Sequence, residues 1–143
     1  MAFKLNYQGG LAYLTIPAFE KTGLVKHGFS TRMGGMSKHP YDSLNLGLRK
    51  DDDKKNVIEN YRLFCKALSI NPNNLVASDQ VHEDKIHVAT LHDRGKGIFK
   101  QSDIKGIDAL ITKDRPLALV TYYADCVPLF LLDVETPAIG LAH

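Results

Sequence analysis

Between residues 54 and 69, apolar side chains recur at Val57, Ile58, Tyr61, Phe64, Cys65 and Leu68. That is the 3.6-residue spacing of one helix face, and it predicts an amphipathic helix. Asp51, Asp52 and Asp53 precede the stripe as N-cap candidates and as negative charge at the positive helix end, and Asn71-Pro72 stops it. The remaining apolar runs are short and bounded by turn residues, which predicts strands at 11–16, 25–30, 75–77, 85–90, 107–112, 117–123, 128–133 and 139–143. Pro17 ends the first of these. In 85–90, Ile86 and Val88 alternate with His87, so the pattern places the two apolar residues inward and the histidine outward. The near-continuous runs LALV and PLFLL read as strands covered on both faces. One helix among many strands gives an α+β fold, a mixed sheet with packed helices in a single domain over residues 1–143. The last run stops on His143 in mid-strand. Domains usually end in exposed, weakly ordered residues, so the pattern suggests a chain whose C-terminal portion is missing.

Composition narrows the class only slightly. A hydrophobic fraction of 44% with 24% charged residues is that of a globular protein. The formal charge of +2 offers no footprint for nucleic acid. The N-terminus lacks the apolar core of a signal peptide, and the long apolar stretch 117–134 is interrupted by Asp125 and Pro128. The expected setting is cytoplasmic, with no membrane partner, and nothing in the pattern specifies an oligomeric state. Cys65 belongs to the helix stripe and reads as core packing. A disulfide to Cys126, the other cysteine, is not expected in a reducing compartment.

Candidate chemistry begins at Cys126, in TYYADCVPLFLLD, where a thiol follows Asp125 at the break between two predicted strands. Of the six histidines, His39 and His92 fall in polar loops and His87 on an outward face. His82 follows a short strand, and His143 ends one. His82, Cys126 and His143 thus sit at strand boundaries, and two imidazoles with one thiolate and an open position form a catalytic type of zinc site. Only the fold can assemble residues so far apart, and the alternative is a set of ordinary core and turn residues. In STRMGGMS, Ser30 and Arg32 precede Gly34-Gly35, whose amides can form an anion nest. The competing reading is a glycine turn with Arg32 in solvent. Asn45 in SLNLG can orient a ribose hydroxyl or phosphate, or stabilise a turn.

The segments HGFSTRMGGMS (27–37), YDSLNLG (41–47), DQVH (79–82), DALIT (108–112), YADCVPLFLLD (123–133) and IGLAH (139–143) occur in the order seen in the laccase-domain, YfiH-type family, which this chain resembles from Val25 onward. The resemblance implies one α/β-type domain of which this is the N-terminal part. It implies metal ligation by the His of QVH, the Cys of ADC and the His that opens an HAGW motif, here His82, Cys126 and His143. It also implies phosphorolysis of adenosine, inosine and methylthioadenosine, with adenosine deaminase activity and an older polyphenol oxidase label. Two positions depart from the family pattern: Glu83 stands where Gly commonly follows QVH, and Tyr61 separates Asn60 from Arg62.

Chemistry ranks these activities. A multicopper oxidase needs many imidazoles, usually in closely spaced pairs, and this chain has no His-x-His. Zinc is the expected cofactor, with copper as the alternative. Zinc in such a site supplies the Lewis acidity that deamination needs, and phosphorolysis additionally requires a phosphate site, for which Ser30, Arg32 and Asn45 are the candidates. A second reading makes Cys126 a covalent nucleophile with His143 as its base. In either case Asp125 is the expected supporting acid, accepting from a ligand imidazole or from backbone amides. The expected partners are a nucleoside and phosphate.

Overall fold

In the computed structural model, which describes residues 3–48 and 50–143, Gly9 and Gly10 take φ of 59° and 84°. A two-residue hairpin that follows the twist of its strands favours positive φ at both turn positions, and glycine reaches it without strain. The turn joins β1 (Lys4–Gln8) to β2 (Leu11–Thr15), and β3 (Phe29–Ser30) pairs antiparallel on the other side of β2. The hydrophobic pattern does not predict β1, because most side chains of KLNYQ are exposed.

Two further expectations for this region are corrected. Pro17 does not merely end a strand. It opens the helix α1 (Pro17–Thr22), closed by Gly23 at φ 65° with its amide on Glu20 O. The strand predicted over 25–30 shrinks to its last two residues. His27 turns inward instead, where its Nε2 accepts the Ile16 amide at 2.7 Å.

The predicted helix forms as α2 (Lys54–Ala67), with the Asp53 carboxylate accepting from Lys55 N at 2.8 Å as N-cap. Its inner face packs with β2: Leu11, Tyr13, Leu44 and Ala67 form a buried cluster flanked by Leu63, Phe64 and Leu68. Tyr13 and Phe64 meet edge to face, centroids 6.0 Å apart. Cys65 is buried, and that burial pushes its thiol up to about 11, as befits a packing residue. These elements lie in one compact unit, Met1–Pro72, and the rest of the chain, Asn73–His143, forms another.

In the second unit β4 (Leu75–Ala77) runs parallel to β7 (Ala118–Val120). A mixed four-stranded sheet contains β5 (Ile86–Val88), β6 (Ala109–Thr112), β8 (Leu129–Asp133) and β9 (Ala138–Ala142), in the order β5-β6-β9-β8. The β5–β6 pair is parallel and the other two pairs are antiparallel. Val76, Ala89, Ile104, Leu110 and Leu117 make the buried core.

The facing of β5 is the reverse of that predicted. Ile86 and Val88 are 61% and 62% exposed, whereas His87 places Nε2 3.2 Å from Oδ2 of the buried Asp93. The inner side of this edge strand is polar because Asp93 caps the following turn: its carboxylate accepts from Thr90 N at 2.9 Å and from Lys96 Nζ at 2.8 Å. On the outer face the register sets Ile86, Ala109, Ala142 and Leu129 in one row, and Val88, Ile111, Gly140 and Leu131 in the next. Of these eight, Ile86, Val88, Ile111, Leu129 and Leu131 stand exposed. The sheet has two apolar faces, as the sequence pattern implies, but among the described residues one of them is open. No helix among the described residues is long and apolar enough to cross a membrane.

Candidate metal centre

Asp108, at the entrance to β6, organises the turn that carries His82. Its carboxylate accepts three consecutive backbone amides: Val81 N at 3.0 Å and Glu83 N at 2.9 Å on Oδ2, and His82 N at 2.9 Å on Oδ1. His82 takes φ 65°, a left-handed conformation that costs a non-glycine residue about 1–2 kcal/mol. Convergence of successive amides on one anion is the geometry of a nest, and these charge-assisted bonds offset the strain. Burial alone would raise the Asp108 carboxyl. The amide of Glu83, the ring of His143 and the amides of Val81 and His82 outweigh it and hold the group well below the usual carboxylate range.

His143 follows β9 and is tied to the same residue twice. Its backbone amide donates to Asp108 O at 2.8 Å, and its Nδ1 lies 2.9 Å from Asp108 Oδ1. Both side chains are buried, 7% and 3% exposed. The His143 ring meets that of His82 at 4.6 Å and 68°, and that of Tyr123 at 5.8 Å. Tyr123 is anchored through its hydroxyl, which donates to Ala142 O at 2.9 Å and lies 2.6 Å from Thr121 Oγ1.

Cys126 sits exposed in the turn before β8. One ligand atom from each of His82, Cys126 and His143 lies within 4.8 Å of the others, the one group of three potential ligands found among the described residues. Zinc–nitrogen and zinc–sulfur bonds of tetrahedral geometry put such atoms roughly 3.3–3.6 Å apart, so a small contraction would close this trio on an ion. The donor set, two imidazoles and a thiol, suits zinc. The three residues singled out by their positions at strand ends therefore come together.

The supporting acid is not the one expected. Asp125 is exposed in the turn beside Cys126, and the carboxylate that pairs with an imidazole and collects backbone amides is that of Asp108. Asp108 stands in DALIT, but its partners there are mostly main-chain groups, which leave no mark in a sequence. Gln80 also escapes the pattern. It ties the same turn to the chain after β7 by donating from Nε2 to Tyr122 O at 2.7 Å and accepting from Tyr122 N at 2.6 Å.

The proposed phosphate residues lie in the first unit, in structural settings of their own. The amides of Gly34 and Gly35 do not form an open nest. Both donate to Ser43 Oγ, at 3.0 and 3.2 Å. A Cβ at either glycine would collide with backbone, of Gly10 and Leu11 in one case and of Ser43 and Leu44 in the other, so close packing explains them. Arg32, its side chain 72% exposed, donates through Nε to Asp42 O and through its fork to the Asp42 carboxylate, each at 2.9 Å. Asn45 uses both ends of its amide locally, donating to Asp52 Oδ2 and accepting from Gly47 N, each at 2.9 Å. Ser30 is half-buried in β3.

The family described as multi-copper polyphenol oxidoreductase laccase matches residues 26–143. Two relatives are both called purine nucleoside phosphorylase YlmD. The one from Bacillus subtilis (strain 168) is 34% identical over 117 residues, 81% of this chain and 42% of the relative. The one from Geobacillus stearothermophilus is 36% identical over 117 residues, 81% of this chain and 43% of the relative. Among solved structures, the hypothetical protein YfiH of Bacillus licheniformis superposes with a TM-score of 0.88 at 35% identity, covering 99% of this chain and 51% of that one. YlmD of Geobacillus stearothermophilus gives 0.86 at 32% identity, covering 99% and 52%. The chain spans about half the length of these relatives.

Proposed function

The chain belongs to the multi-copper polyphenol oxidoreductase laccase family, and from that premise we propose that it carries the metal centre of a purine nucleoside phosphorylase, with His82, Cys126 and His143 as the ligands. The observation that carries this reading is the convergence of those three donors, within 4.8 Å of one another, from the turn before β5, the turn before β8 and the end of β9. The names of the relatives support the reaction class. Zinc is the metal that the donor set favours, with copper second. The single three-ligand group found among the described residues is too small a set for a multicopper cluster, which favours phosphorolysis over phenol oxidation as the main activity.

Zinc bound there would act as a Lewis acid with one position open to substrate. In phosphorolysis the bond from the purine nitrogen to C1′ breaks, a phosphate oxygen bonds to C1′, and the base departs with a proton. Adenosine, inosine and methylthioadenosine are the proposed substrates, with deamination of adenosine as a second activity of the same centre. His82 and His143 each offer an imidazole nitrogen, and the Tyr123 ring lies tilted beside that of His143. Arg32 is the proposed phosphate contact, since its exposed pairing with Asp42 is of a kind that contributes little and can be exchanged for another anion. Ser30 and Asn45 are carried as its accompanying candidates.

A second reading is favoured by one specific contact. Asp108, His143 and Cys126 line up as orienting acid, base and nucleophile, the arrangement of a cysteine hydrolase. Metal content separates the two. Under the metal reading, Cys126→Ser and His82→Ala both lose the ion and both activities fall together. Under the hydrolase reading, Cys126→Ser abolishes turnover, His82→Ala matters much less and added zinc inhibits. The test is metal stoichiometry with product identification from inosine and phosphate, using protein purified without chelators. Ribose 1-phosphate indicates phosphorolysis and free ribose hydrolysis. A Cys126→Ser protein that keeps a full metal ion, or a His82→Ala protein with full activity, sinks the three-ligand site.

A further inference from the structure

We infer that Asp108 is the positioning residue of the centre, a single carboxylate that shapes the turn bearing His82 and fixes His143 in the tautomer whose Nε2 lone pair is free. The inference rests on the three-ligand reading above. A carboxylate offers about four lone-pair directions, and here four donors fill them: the amides of Val81, His82 and Glu83, and the ring of His143. An acceptor so committed has no proton to give. The hydrogen in the 2.9 Å contact therefore belongs to His143 Nδ1, and in the neutral ring Nε2 is left unprotonated.

Ligand imidazoles are oriented in this way by a carboxylate on their far nitrogen. Here the same oxygen atom, Oδ1, also takes the His82 amide, so two of the three ligands depend on one side chain. The third, Cys126, does not touch it in any hydrogen bond described.

Asp108→Asn separates the tautomer from the fold. With its oxygen where Oδ2 receives Val81 and Glu83, the carboxamide keeps the shorter of the two Val81 contacts, 3.0 against 3.2 Å, and gives up the His82 amide rather than that of Glu83. Its NH2 then faces His143 Nδ1 and can only donate. The ring must accept there, its proton moves to Nε2, and the lone pair meant for the metal is lost.

The experiment reads the His143 tautomer in metal-free protein by long-range 1H–15N NMR, at a pH where the ring is neutral, alongside zinc affinity. The wild type is expected to carry its proton on Nδ1. Asp108→Asn should move it to Nε2 and weaken zinc binding by about 10- to 100-fold. Asp108→Glu should restore the Nδ1 proton, and Asp125→Asn should change neither readout. An Nε2-protonated ring in the wild type overturns the inference. So does an Asp108→Asn protein whose tautomer is unchanged and whose zinc affinity stays within about twofold of the wild type. If Asp108→Asn does not fold, the wild-type tautomer decides. If the wild type binds no zinc, the ligand reading falls, and the tautomer measurement still decides the role of Asp108.

Discussion

The side chain of Gln80 and the main chain of Tyr122 exchange two hydrogen bonds, one donated at 2.7 Å and one accepted at 2.6 Å. A primary amide is the side-chain group that reproduces the pairing of one strand with the next, and here it splices the turn before His82 to the segment before Cys126. Gln80→Glu keeps the shape but removes the donor and sets an anion against the Tyr122 carbonyl. The expected loss is roughly 1–3 kcal/mol of stability, read as a lower denaturation midpoint, with weaker zinc binding. Unchanged values for both would show that water replaces these bonds at no cost.

Arg32→Ala tests the phosphate assignment. The pair with Asp42 is exposed, so its loss should cost less than about 1 kcal/mol of stability. A charge-assisted contact to phosphate is worth more, so the phosphate concentration for half-maximal turnover should rise about tenfold or more, with metal content unchanged. Unaltered phosphate dependence in a folded variant would leave Arg32 a loop-bracing residue only.

The acid limb of stability has a testable contributor in Asp93. Burial alone would raise its carboxyl, but Lys96, the Thr90 amide and His87 reverse this and hold it at about 2, below the ordinary 3.8. Because the folded value is the lower one, the stabilisation is complete above the unfolded value and disappears as pH falls from about 4 toward 2. Asp93→Asn should lower stability at neutral pH by on the order of 1 kcal/mol, and that difference should shrink across this window. A difference independent of pH, measured by urea denaturation, would refute the assignment.

Exposure of the outer sheet face gives a prediction about behaviour in solution. Ile86, Val88, Ile111, Leu129 and Leu131 form an apolar patch across four strands. The protein should bind hydrophobic dyes and self-associate through this face. Val88→Lys with Leu129→Lys should reduce dye binding and association while sparing the fold, since both positions already face water. A monomeric wild-type protein that binds no dye would show that the face needs no cover.

Much of the fold is legible in the residues, and the gaps have physical causes. The α2 stripe and its Asp53 cap follow from spacing and from side-chain chemistry at the helix end. Asn60 hides in that stripe. A polar residue there suggests an outer position, yet it is wholly buried, accepting Met36 N at 2.7 Å and donating to Ser37 Oγ and Asn45 O. Gly9-Gly10 and the pair Pro17 with Gly23 were local signals for the hairpin and for α1, both masked by exposed side chains. Alternation along β5 specifies two faces but not which one turns inward, and Asp93 decides that from outside the strand. In the site, the three candidate ligands are marked by strand ends and motif order. Asp108 and Gln80 bind main-chain atoms, so their importance appears only once the chain is folded.

The nest around Asp108 has a further consequence for position 82. The three amides that define the turn belong to the backbone, and they would be present with any side chain but proline's at that position. Its left-handed φ is also comfortable for asparagine and aspartate. Shape and chemistry are therefore separable here. The side chain at 82 can be exchanged while the turn that presents it stays as it is.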